Sequence, residues 1–286
     1  GDYTPVKNID RELFIYETVG DPEASIHQLK QYFQSVWELP DAKLYTKMGD
    51  WEKSQECIQW LTAHADALKS SYPSAYEPWD YEALTMETNR ITLLHNPINA
   101  SNKEPWMWET VCHLMGTGKE ITVYTPYIIC GKEMYADLTA LCKKTDLVEI
   151  ITNDVASGAN PWGCTDYLNQ KKKIWATGVR VYEYLGEHSS HSKAVLIDDR
   201  MSIVGSYNMD MRSTYQDTEL MLAVDSPELN AVIRKEAEVN KTYSRYMTPE
   251  GTYINGENYV PREMSAGKKL FYGVLRVLIM PFRRFL

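Results

Sequence analysis

At 286 residues the chain has room for one large or two ordinary domains, and 44% hydrophobic against 24% charged residues supports a true core and excludes global disorder. A formal net charge of −9 counts against a nonspecific nucleic-acid binder, which needs a basic surface for phosphates. Five cysteines, Cys57, Cys112, Cys130, Cys142 and Cys164, are odd in number and lack C-x-x-C spacing, so neither a disulfide scaffold nor a zinc site is indicated and a reducing compartment is expected. The first residues are Gly-Asp rather than Met, so the sequence reads as a piece of a longer protein.

Residues 1–9 are polar and turn-like. A strand is predicted over residues 12–16, then a start signal at Asp21-Pro22-Glu23 and an amphipathic helix ending near Trp37. The same order returns at Glu219-Leu220, where a strand is followed by Ser226-Pro227-Glu228 and a helix expected to reach about Tyr246. This reads as a short internal repeat, which would make residues 1–40 the tail of an earlier copy of the same unit. Residues 41–87 form a connector with a helix over residues 51–71. From Asn89 strands and helices alternate: strands over 90–94, 120–125, 148–152 and 179–184, helices over 105–115, 132–142 and 164–176. The pattern predicts an α/β layered fold, a mixed β-sheet flanked by helices on both faces, with ligands at the strand C-terminal ends. Thr125-Pro126-Tyr127 and Thr152-Asn153-Asp154 stand at such ends.

The chemistry concentrates between residues 191 and 219. His191 and Lys193 are two apart and lead into an apolar strand, so both side chains point to one face. A second strand, residues 201–205, ends in Ser206 and Asn208, and a third opens beside Glu219. Imidazole, ammonium, hydroxyl, amide and carboxylate suit a phosphate group: donors for its oxygens, a nitrogen to attack or carry protons, and an acid to orient the imidazole. For His191 alone a structurally satisfied core histidine is the simpler reading; the set as a whole weighs against it. His188, three residues earlier, has no further ligands to make a metal site with His191.

HSKAVLID, residues 191–198, fits H-x-K-x-x-x-x-D, and GSYN, residues 205–208, fits the companion G-S-x-N. In these residues the chain resembles the phospholipase D superfamily, and ITNDVASGANPW, a helix and GVRVYEY are especially similar to its cardiolipin synthase branch. The resemblance implies a metal- and cofactor-independent phosphatidyltransferase that joins phosphatidylglycerol to a second phospholipid headgroup through a phosphohistidine. It implies a catalytic set of His191, Lys193, Asp198 and Glu219. His191 acts as general acid and base, Lys193 and Asn208 hold the non-bridging oxygens with Ser206 in support, and Glu219 orients an imidazole. Strict alternation puts Asp198 on the opposite strand face from Lys193, which fits a structural role better. Such enzymes pair two H-x-K motifs, and this chain has one. An upstream half or a second copy of the chain is therefore an expected partner, with Glu12 as the earlier copy's carboxylate by the repeat.

The expected division is 1–40 as the tail of a preceding half, 41–87 as connector, 88–248 as catalytic domain and 249–286 as a basic amphipathic tail. In that tail Phe271, Val274, Leu275, Leu278 and Phe282 fall at helical spacing among lysines and arginines, as in an interfacial helix on anionic lipid; a helix packed on the core is the competing reading. The expected placement is peripheral, on the cytoplasmic face of the cell membrane. Hydrolytic phospholipase D action, a homodimeric nuclease and a non-catalytic membrane-docking module are the alternatives.

Overall fold

A computed structural model of the chain describes residues 8–18, 20–44, 51–99, 103–158 and 160–286, and of Trp51 the backbone alone. The turn-like reading of residues 1–7 lies outside them. The chain divides into two compact units, one of the described residues up to Phe14 together with 87–286, the other Ile15–Met86. The sequence-based division differs in its boundaries: the described residues up to Phe14 and the whole of 249–286 belong with the larger unit.

The smaller unit holds α1 (Ser25–Trp37), α2 (Trp51–Ser71) and the one-turn α3 (Tyr81–Leu84), the last capped by Asp80, whose side chain accepts from Ala83 N. The larger unit begins with a short strand, β1 (Asn8–Ile9), which pairs in parallel with β6 (Ser189–Ser190). The strand expected over residues 12–16 does not form. A strand needs a neighbour to take its backbone groups, and in this segment only Asn8 and Ile9 join a ladder.

The main sheet is built from β2 (Arg90–His95), β3 (Glu120–Tyr124), β4 (Leu147–Asn153), β5 (Arg180–Tyr184), β7 (Ala194–Ile197), β8 (Met201–Gly205), β9 (Leu220–Asp225), β10 (Ser244–Met247) and β11 (Tyr253–Asn255). Their spatial order is β11-β10-β5-β4-β3-β7-β8-β9-β2. The three strands β3, β4 and β5 run parallel and every other neighbouring pair is antiparallel, so the sheet is mixed as expected. Alternation sorts the side chains: Ile121, Val123, Val148, Ile150, Val195 and Ile197 meet residues of α4 (Trp106–Met115), α5 (Lys132–Lys144) and α6 (Pro161–Ala176). On the opposite face Tyr124, Ile151, Ala194, Leu196 and Val204 meet Ile233 and Ala237 of α8 (Pro227–Thr242). Pro161 and Pro227 each stand in the first turn of their helices, where no backbone N–H is missed, behind Asn160 and Ser226 caps.

Two expectations are corrected at the C-terminal end. The helix from Ser226 stops at Thr242 rather than about Tyr246, because the next residues pair with β5 as β10. The tail helix α9 (Ala266–Leu278) and the 3₁₀ turn Met280–Phe285 pack one side on the core: Tyr272, Leu275 and Ile279 are buried, so Leu275 is not on a lipid-facing side. No helix among the described residues is long and apolar enough to cross a membrane.

Candidate active site

The C-terminal ends of β2, β3, β4, β5 and β8 and the N-terminal ends of β7 and β9 lie along one edge of the sheet, as their registers require. His191 and Lys193 precede β7, Ser206 and Asn208 follow β8, and Glu219 precedes β9, so the sheet brings all five to that edge. Gly205 is obligatory in this arrangement because a Cβ there would collide with Leu220 O and crowd Met221 Cα on β9. The loop after β3 is stitched to the loop after β8: Met209 N donates to Thr125 Oγ1 at 3.1 Å, and Ile129 N to Met209 O at 2.9 Å.

His191 is fixed from two sides. Asn153, at the end of β4, accepts from Ser190 N at 2.8 Å and donates to Ser190 O at 2.7 Å and Pro126 O at 3.0 Å, fixing the residue before the histidine. This spends the Asn153 amide on backbone. On the other side His191 N donates to Ile9 O at 2.7 Å and His191 Nδ1 lies 2.8 Å from Asp10 Oδ1. Arg11, next in line, reaches Glu236 at 2.6 Å and lies over the Tyr124 ring. Asp10, which the sequence reading missed, is thus the carboxylate that meets this imidazole. Glu12, named from the repeat, is exposed two residues further on. No local signal marks Asp10, since the contact joins residues 181 apart in sequence.

The Lys193 Nζ lies 2.8 Å from His191 Nε2 and donates to His191 O at 2.7 Å. Nζ also lies 3.0 Å from Nδ1, so the ammonium sits across both ring nitrogens; with Nδ1 donating to Asp10, Nε2 keeps its own lone pair. Lys193 is 8% exposed, and burial lowers its pKa to about 8, against the pull of Asp10, Glu219 and Asp210. Glu219 accepts from Ser206 Oγ and, at 2.6 Å, from Ser213 Oγ; burial raises its pKa while these two hydroxyls oppose the rise. Asn208 makes one long contact, Nδ2 to Ser213 Oγ at 3.4 Å, and its buried Oδ1 has no partner among the described residues. Its amide therefore retains bonding capacity for something else.

Asp198, counted in the motif, is elsewhere. It closes β7 at the far end of the strand, in the left-handed region at φ 48°, and its Oδ1 accepts from Lys119 N at 2.7 Å and Glu120 N at 2.9 Å. Its inclusion among the catalytic residues is corrected to a turn-clamping role, since four strand residues separate it from Lys193.

Residues 111–240 match the family model described as cardiolipin synthase, PLD-like domain. Cardiolipin synthase A of Erwinia tasmaniensis is 28% identical over 108 residues, 37% of this chain and 21% of that protein. Cardiolipin synthase A of Yersinia pseudotuberculosis is 26% identical over 157 residues, 54% of this chain and 30% of that protein. The chain thus spans less than a third of the length of these relatives. Among solved structures, the phospholipase D family member Nuc from Salmonella typhimurium aligns at TM-score 0.45 and 14% identity, covering 55% of this chain and 96% of that one. Phosphatidylserine synthase of Haemophilus influenzae Rd KW20 aligns at TM-score 0.46 and 19% identity, covering 69% and 48%. The family match falls on the segment that carries His191, Lys193, the GSYN loop and Glu219, and over it this chain is similar to the cardiolipin synthase-like branch of the phospholipase D superfamily.

Proposed function

We propose that the chain is the C-terminal part of a phosphatidyltransferase acting on phosphatidylglycerol or a related phospholipid, at an anionic membrane surface on the cytoplasmic side. The observation that carries this reading is the cluster Asp10–His191–Lys193, with Asn208 Nδ2, engaged only by one contact of 3.4 Å, at the same sheet edge. A phosphodiester entering here would draw Lys193 off His191 Nε2 onto a non-bridging oxygen, with Asn208 on another. A histidine of the other half, upstream or in a second copy, would attack phosphorus; as that N–P bond forms, the P–O bond to the leaving group breaks. His191, whose Nε2 takes a proton from water once Lys193 has left it, would pass that proton to the leaving oxygen. In the return step His191 Nε2 takes the proton of the acceptor hydroxyl, whose oxygen attacks phosphorus as the N–P bond breaks. Asp10 holds the imidazole in the required tautomer throughout, and Glu219, occupied with Ser206 and Ser213, is placed to orient the histidine of the other half.

The test uses phosphatidylglycerol labelled in phosphorus, with the chain alone and with the preceding segment of its natural gene supplied separately. Formation of cardiolipin and an acid-labile labelled protein, both abolished by His191→Ala, is the expected result with the pair. Water-derived phosphatidate as the main product would recast the reaction as hydrolysis. No turnover in any combination would sink the reading.

A further inference from the structure

Helix α9 and the 3₁₀ turn after it are two-sided. Their inner side is fastened: Lys268 Nζ donates to Ala156 O at 2.9 Å, Arg276 Nε to Asn169 Oδ1 at 2.7 Å, and Arg283 to Asp166 at 2.5 Å and Cys130 O at 3.0 Å. Their outer side is open. Leu270 is 72% exposed and Val277 63%, with Phe271, Val274, Leu278 and Phe282 exposed along the same stretch. An apolar stripe of this extent beside a buried one is not a packing remainder.

Two features of this segment say what covers it. First, charge: the whole chain is at −9, yet residues 264–286 contain no Asp or Glu and five cations, Lys268, Lys269, Arg276, Arg283 and Arg284. Second, hydrogen bonding: from Ala266 to Leu286 the only uncharged side chain with a hydrogen-bonding group is Tyr272, which is buried. Protein interfaces carry polar rims with about one hydrogen bond per 100–200 Å²; a lipid surface asks only for apolar side chains flanked by cations. The stripe also borders the candidate site. Lys268 is tied to the loop after β4, and Leu286 O accepts from Arg212 N at 2.7 Å on the helix α7 (Met211–Tyr215) that follows the GSYN loop.

We infer that the outer face of α9 is a membrane-seating ridge: Leu270, Phe271, Val274, Val277 and Leu278 enter the acyl region of an anionic bilayer, Lys269 and Arg284 sit at its phosphates, and the site rim is held against the lipid. This deepens the functional reading and rests on it for the identity of the surface, but its test reads binding alone. The chain is co-sedimented with phosphatidylcholine vesicles with and without phosphatidylglycerol. Binding at least about tenfold tighter to the anionic vesicles, weakened by salt, is expected. Val274→Glu with Val277→Glu should lower it about tenfold or more with an unchanged melting temperature, while Lys269→Gln with Arg284→Gln removes only the preference for phosphatidylglycerol. His191→Ala should bind as the parent does, which separates seating from chemistry. Equal binding to neutral vesicles, no binding, or full binding by both pairs of variants overturns the inference. So does light scattering that shows a lipid-free dimer dispersed by the glutamate pair, which would assign the face to a second copy.

Discussion

Lys193 stands where an ammonium ion is least comfortable, buried and with an imidazole in place of a counter-anion. A pKa lowered from 10.5 to about 8 corresponds to roughly 3 kcal/mol against the charged form. Between about pH 8 and 10.5 the unfolded chain holds the proton and the folded one does not, so stability rises with pH across that window. Lys193→Met should accordingly raise stability at pH 7 by about 2 kcal/mol in urea titrations while reducing kcat by about 100-fold or more. In the parent, kcat/KM should fall as pH rises through about 8, and Lys193→Arg should move that limb upward. Asp198→Ala inverts the pattern: it frees two backbone N–H groups and should cost about 1–2 kcal/mol of stability while kcat changes by less than about threefold. Asp10→Asn, a change of positioning rather than of the reacting atoms, should lower kcat about 10- to 100-fold with KM nearly constant. That His191, Lys193, Asn208 and Glu219 gather at one sheet edge was legible, because the first three sit in two short runs beside strands and Glu219 opens the next strand; Asp10 was not, because nothing local to residue 10 refers to residue 191.

At the scale of elements, alternation and cap residues located the longer strands and helices of residues 90–225 to within a few positions, since each buries a face that its own sequence marks, but not the two-residue β6 or the short α7. The failures have one cause. Residues 244–247 continue a helical pattern, yet they become β10 because Tyr246 packs on Tyr182 with ring centroids 5.2 Å apart, and Arg245 reaches Glu183 at 2.8 Å and Asp154 at 2.9 Å. Those partners lie some sixty to ninety residues upstream, and no window sees them. Glu183 is the hub: buried on β5, it takes Arg245, Lys171 and the hydroxyls of Tyr167 and Tyr253. Glu183→Leu would leave Lys171 without its counter-charge, Arg245 with Asp154 alone and two tyrosine hydroxyls without their acceptor, and a loss of about 3–5 kcal/mol in chemical denaturation is expected, with β10 and β11 released first in hydrogen exchange.

For the molecule as a whole, the two units differ in what holds them. The larger has a continuous core on both sheet faces, whereas among the described residues of 15–86 only Ser25 is buried and Phe33, Trp37, Ile58, Trp60 and Leu61 are exposed. Hydrogen exchange should find the amides of α1 and α2 nearly unprotected while those of β3, β4 and β7 exchange only on global unfolding; equal protection would contradict this account. The composition announced a core but not its distribution, because apolar content is a sum and burial is a matter of place. The pairing of β1 with β6 carries a further consequence, in time. Asn8 meets Ser189, which is made 181 residues after it. At about 5–20 residues per second a ribosome takes roughly 10–40 s over that interval, during which the early strand has nothing to pair with. Asp10 and the imidazole therefore cannot meet earlier, and a nascent chain in contact with lipid carries no finished acid–base pair until nearly two thirds of this sequence has been translated.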